Sequence, residues 1–421
     1  MKRIIVFVSF QLLVYGLVQA QGQVYDNNIK SIKLFQAGDQ VSFPIINLGN
    51  LDGLELHFDD LSNRVKNYYY TFELRNADWS PSILRPFDYI KGFQNIRISN
   101  YRNSSLATTQ YIHYQTPVPD RNCYPTKSGN YLLKVFLDND TSKLVFTRRM
   151  VVLENKTTVQ TQALQPFSGV LFRTAQRMNV VVQTDNRINV MSPADIKVVI
   201  LQNNNWMTST LIDQPTIYRG NYYEYSDEAI TSFQAAKEFR WADLRSFRMR
   251  TDRVQEINNR GDTTRIELKP DPSRNDHGYV YFRDLNGMYT IETYESINPY
   301  WQGDYAEVTF NYYPPGNRQV AGNDIYIFGE FTNYGLDTSG KMIFNPDKGA
   351  YEKTMFLKQG YYNYLYAAMP YDKQGLPDFS TTEGNYFATE NSYIVLVYFR
   401  PFGARADELV GYAQINTVFQ Q

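Results

Sequence analysis

SGNYLLKVFLDNDTSKLVFTRRMVVLE, residues 128–154, is the stretch on which the fold turns. Tyr131, Leu133, Val135 and Leu137 fall on one face, and Leu132, Lys134 and Phe136 on the other. A period of two is the signature of a strand. Ser128-Gly129-Asn130 starts it and Asp138-Asn139-Asp140 ends it, both with turn-forming residues. Residues 143–154 are predicted to fold back as the antiparallel partner of a hairpin. Upstream, 67–74 (NYYYTFEL) alternates with Tyr68, Tyr70 and Phe72 on one face, and 32–35 and 54–58 are shorter runs of the same kind. About seven such strands within roughly 125 residues predict an immunoglobulin-like sandwich.

Composition agrees. Aromatic residues make up 15% of the 421, with 35 Tyr and 26 Phe, and such side chains favour strands. The chain opens MKRIIVFVSFQLLVYGLVQA: two cations, an apolar run, then small side chains. That pattern predicts a signal peptide over 1–20, cut after Ala20. Without Lys2 and Arg3, 40 basic side chains face 43 acidic ones, a balance of −3. Such a balance draws a protein to neither nucleic acid nor an anionic membrane. Downstream of residue 20 no apolar run reaches the length of a span, so no membrane insertion is expected. Cys123 is the only cysteine, which excludes an internal disulfide, and it reads as a buried, inert thiol.

Further along, 155–165 is polar and reads as a linker. Strands are expected at 178–184, 196–202, 264–269, 278–283 and 306–312. Pro314-Pro315-Gly316-Asn317 marks a boundary, and strands at 325–328, 351–357, 361–367, 393–399 and 410–418 follow. The expected domains are 28–155, 165–313 and 318–421, all β-sandwiches. One segment competes: 226–247 carries Ile230, Phe233, Ala236 and Phe239 at helical steps behind Ser226.

Chemistry is sparse. His57, His113 and His277 lie far apart in sequence, with no paired ligand spacing. Each reads as a strand or loop residue making ordinary hydrogen bonds. Asp59-Asp60 and Asp138-Asn139-Asp140 lack the spacing of a calcium loop and read as turns. Cys123 and His113 would make a nucleophile and base only if a hairpin joined them. No nucleophile elbow and no phosphate-cradling loop occurs. No catalytic residue, metal or other cofactor is expected. Four aromatic residues are candidate partner-binding anchors: Trp206 after three asparagines, Tyr300 and Trp301 beside Pro299, and Tyr334.

Several of these strings resemble one family. Residues 67–93 (NYYYTFELRNADWSPSILRPFDYIKGF), 109–120 (TQYIHYQTPVPD), 128–140 and 144–154 are similar, in order and spacing, to the N-terminal block of the type IX secretion plug proteins. Residues 233–246 (FQAAKEFRWADLRS) resemble a further block, which usually has glycine near Ala236 or Lys237. The resemblance implies irregular or strand structure there rather than a helix. It also implies a soluble periplasmic protein that binds the outer-membrane translocon barrel of the type IX secretion system and plugs its periplasmic opening. Residues 325–342 and 349–366 look like early-set sandwiches found beside glycan-active enzymes. The alternative reading is therefore a glycan-binding module of the periplasm or cell surface. The fold class expected overall is all-β, as tandem immunoglobulin-like and early-set sandwiches.

Overall fold

The structure, a computed structural model, describes residues 22–51, 53–372 and 375–420. The expected signal peptide lies outside them. Strands dominate, and each α-helix is a single turn: Pro86–Tyr89, Glu228–Thr231 and Pro299–Gln302. The protein is all-β, built from packed sheets.

The hairpin forms as its alternation requires. Gly129–Leu137 pairs antiparallel with Leu144–Leu153, with Tyr131 opposite Met150 and Leu133 opposite Arg148. Tyr68–Arg75 pairs on the other side, completing a sheet with Ile45–Asn47 and Ile96–Arg97. Ile29–Gln36, Leu54–Asp60, Ile112–Val118 and Tyr101–Asn103 form the facing sheet. Between them Leu54, Leu56, Phe58, Tyr68, Tyr70, Tyr114, Tyr131 and Leu133 make one core. At the rim of this first sandwich, Val118-Pro119 is a cis peptide bond.

The rest of the chain is not folded in chain order. The 155–165 stretch is a strand, Thr157–Leu164, paired with Ala175–Thr184. Its Thr158, Gln160 and Gln162 are exposed while Val159 and Ala163 pack inward, so its polarity belongs to one face rather than to a linker. Opposite that sheet lie Asn205–Ile212 and Ile196–Gln202, continued by Ser392–Phe399 and Glu408–Asn416. The last two strands, expected in a block from 318, thus belong to the middle sandwich. Their placement has a physical cause. Ser392–Phe399 is apolar on both faces and needs cover on both. Tyr393, Val395, Val397 and Phe399 enter the middle core. Ile394, Leu396 and Tyr398 pack with Phe43, Ala77, Val151 and Leu153 of the first sandwich.

Conversely, Arg240–Asp243, Tyr289–Thr290 and Tyr305–Tyr313, expected in the middle block, share sheets with Tyr361–Pro370 and Ala350–Lys358. This third body has its own core of Ile266, Val308, Phe310, Ile325, Ile327, Tyr362, Tyr364 and Tyr366. Pro315–Asn317 is a turn inside that body rather than a boundary. Residues 278–283 are not a strand: Val280 and Tyr281 are exposed there and no neighbour pairs with them. The disputed segment holds one turn of helix, Glu228–Thr231, then strands Ser232–Gln234 and Arg240–Asp243. Ala236 between them has φ +52°, a left-handed conformation that ends any helix and that glycine adopts more easily.

Candidate functional site: a charged seam

Strand Leu54–Asp60 alternates sharply. Leu54, Leu56 and Phe58 face the first core, so Glu55, His57 and Asp59 face away. Charged residues on an outer sheet face normally meet water. Here the third body covers two of them, while Glu55 stays partly exposed: His57 is 6% exposed, Asp59 0%, and Lys33 on the neighbouring strand 1%.

Each side of this seam supplies one anion and one cation. Lys33 Nζ donates to both carboxylate oxygens of Glu330, at 2.8 and 2.6 Å, and to the Tyr289 carbonyl at 2.9 Å. Lys358 Nζ lies 2.5 Å from Asp59 Oδ2 and donates to the Tyr300 carbonyl. Asp59 also accepts from Tyr305 Oη at 2.6 Å and meets His113 Nδ1 at 2.7 Å. Around these pairs the backbones interlock. Tyr111 Oη donates to the Gly303 carbonyl, Gln40 exchanges hydrogen bonds with Ile291, and Asp304 accepts from the amides of Thr108 and Thr109.

Burial sets the electrostatics. It pushes the Lys33 and Lys358 amines below the ordinary lysine range, against the pull of their carboxylate partners. Burial alone would raise Asp59, but Lys358 and His113 outweigh it and hold the carboxyl below its usual range. His113 is pushed down to about 4 by burial, against the hydrogen bond to Asp59. Buried pairs of this kind add little net stability over apolar packing, yet losing one partner costs about 3–5 kcal/mol. Parting the two bodies would strip both pairs of their partners.

A second seam joins the first and middle sandwiches. Asp407 accepts from the Ala77 amide at 2.9 Å and from Arg400 Nε at 2.8 Å. Tyr398 Oη donates to Asn130 Oδ1 at 2.6 Å, and the Arg149 guanidinium lies 4.3 Å from the Trp79 ring centre and 5.4 Å from that of Trp206. Burial lowers Arg149 to about 9.

The four aromatic candidates divide. Trp206 is 2% exposed, clamped between Phe43 and Trp79. Tyr334 is fully buried, packed on Phe328, and its hydroxyl donates to the Asn203 carbonyl. Neither is a surface anchor, because each large ring fills an internal junction. Tyr300 and Trp301 come together at the open end of the charged seam. Tyr300 stacks on His57, with ring centres 4.2 Å apart, and Trp301 lies under the Arg102 guanidinium at 5.0 Å. Trp301 also lines a shallow depression of about 350 Å³ with Tyr101, Arg102, Asn103 and Ser105.

Other readings sort on the same geometry. Asp59-Asp60 is a buried strand end, not a turn. Cys123 lies in the first core with its thiol raised to about 12 by burial, while His113 points into the seam, so the two form no nucleophile–base pair. Among the described residues no cluster of three or more His, Cys, Asp or Glu could hold a metal ion. No described helix is long and apolar enough to cross a membrane. Sequence reasoning missed Lys33, Glu330 and Lys358. The one usable signal was the charge on every second residue of 54–60, which looks the same whether water or protein covers it.

Comparison with known proteins adds three findings. No curated protein matches the chain. A hypothetical protein from Parabacteroides merdae ATCC 43184, solved by crystallography at 2.30 Å, is 28% identical. It superposes with a TM-score of 0.89 over 94% of this chain and 99% of its own. Residues 29–154, the first sandwich, match the family model of the type 9 secretion system plug protein 1st domain. The first sandwich is thus similar to the first domain of the type 9 secretion system plug proteins.

Proposed function

We propose that this chain is the periplasmic subunit that docks against the outer-membrane translocon barrel of a type IX secretion system and closes its opening when no cargo passes. The observation that carries the reading is the joining of a plug-family first domain to the rest of the chain through two seams of buried polar contacts. A stopper has to withstand displacement as one body. Buried ion pairs that are costly to separate supply that rigidity without a disulfide, which a chain with one cysteine cannot form.

The reading supposes export by the leader and contact with the barrel through a modest, partly polar surface, since a large apolar interface would resist release. Tyr300, Trp301 and the depression beside them are the proposed contact region. Affinity capture of the tagged full chain from native envelopes, read by mass spectrometry, tests this. Recovery of an outer-membrane barrel of the secretion system supports it, and repeated recovery of none removes it. Trp301→Ala should weaken capture while leaving the fold intact.

A further inference from the structure

The two buried imidazoles of the charged seam stand in a single row with a carboxylate at each end. Glu55 Oε2 lies 3.3 Å from His57 Nε2. His57 Nδ1 lies 3.1 Å from His113 Nε2, and His113 Nδ1 lies 2.7 Å from Asp59 Oδ1. Ionised carboxylates only accept hydrogen bonds. The two outer contacts therefore need a proton on His57 Nε2 and another on His113 Nδ1. The central nitrogen–nitrogen contact needs a third. Two neutral imidazoles carry two protons and two imidazolium ions carry four, so three is the number that fills the row.

We propose that His57 and His113 hold one extra proton between them, and that this proton makes the seam a pH-responsive joint, tightest when the pair is singly charged.

The surrounding charges agree. From the strand of His57 come Glu55 and Asp59. Lys33, opposite His57 in the ladder, is engaged by Glu330, and Arg102, opposite His113, lies over Trp301. From the third body, Lys358 and Tyr305 both meet Asp59, Tyr300 stacks on both imidazoles, and Asp304 accepts from Thr108 and Thr109. Tyr111 lies under Lys358, 4.2 Å from its amine. Two anions, Glu55 and Asp59, are then balanced by Lys358 and the shared proton. A fourth ring proton would set N–H against N–H at 3.1 Å, and loss of the third would leave two lone pairs, or a lone pair and a carboxylate, face to face. Burial holds His113 down to about 4, which makes it the neutral member of the pair.

The pH dependence follows from proton counts. With the joint open, both rings titrate near the ordinary histidine value of ~6.5. Below that pH the open form binds more than the one extra proton that the closed form holds, so acid favours opening. Above it the open form binds fewer, so alkali favours opening too. Each limb steepens to at most about tenfold per pH unit. The acid limb ends where His113 itself charges in the closed form, near 4, for a total of roughly 80-fold.

The test uses the full chain with 15N-labelled histidine, in which only three side chains report and exposed His277 serves as reference. At pH 7 the expected spectrum shows one doubly protonated seam ring and one neutral ring protonated at Nδ1. Hydrogen exchange, corrected for intrinsic rates, is followed in 54–60 and 305–313, with 178–184 as control. Exchange at the seam should pass through a minimum near pH 6.5 and rise on both sides, while the control stays level. His57→Phe keeps the stack between Phe35 and Tyr300 and should abolish the alkaline limb alone. Two neutral rings at pH 7, or a wild-type profile with a single limb, would overturn the proposal. The labelled wild type decides the matter even where the variant fails to fold.

Discussion

Replacing Lys358 by Met isolates the energetics of the charged seam. The thioether keeps most of the stem's volume over Tyr111 and removes the charge that answers Asp59 together with the hydrogen bond to the Tyr300 carbonyl. Asp59 is fully buried and keeps His113 and Tyr305 as hydrogen-bond partners, but no cation. Breaking a buried pair in this way costs about 3–5 kcal/mol, a large share of the ~5–15 kcal/mol that holds a typical native protein together. The double variant Asp59→Asn/Lys358→Met removes both charges while Asn still accepts from Tyr305. It should recover most of the loss, giving a coupling of at least about 2 kcal/mol in the double-mutant cycle. Lys358 is one of the charges that lower His113, so in the single variant His113 takes up a proton more readily. The deficit should therefore shrink as pH falls from 8 to 5. Urea unfolding followed by tryptophan fluorescence and circular dichroism measures all three quantities. A single-variant loss below about 1 kcal/mol, or singles that simply add in the double variant, would refute the view that these charges are paired in a closed seam.

Further outcomes follow from other buried groups. Glu383 sits between Arg240 and Arg274, whose charges overcome its burial and hold the carboxyl down to about 2. A depressed folded value means stability that is present above the ordinary ~4.3 and lost as pH falls toward 2, about 3 kcal/mol in all. Glu383→Gln should destabilise the protein at pH 7 and flatten its acid-unfolding curve over that window. Ala236→Val should cost more than about 2 kcal/mol in thermal or urea unfolding, because a β-branched residue tolerates φ +52° poorly. Ala236→Gly should stay within about 1 kcal/mol, since relief of the backbone offsets one lost buried methyl. Cys123 should resist thiol reagents in the native state and react once denaturant opens the first core.

Much of the first sandwich can be read directly from residues 128–154 and 67–74. Local alternation and turn residues specify that hairpin, and a strand's two faces repeat every second residue whatever surrounds it. The same reading stretches thin where strands from distant segments meet. Nothing local announces that 392–399 leaves its chain neighbours to pair with 196–202. Its two apolar faces state only that both must be covered, and the covering surfaces come from far upstream, one from the middle sandwich and the other from the first.

The seam shows the same division for function. Glu55, His57 and Asp59 on alternate positions are plain in the sequence, as are a lone thiol and the absence of catalytic spacing. Whether Asp59 meets water or Lys358 was decided only when the third body folded over it. Pairing charges across some 300 residues depends on where whole sheets come to rest, and sequence spacing along one strand carries no record of that.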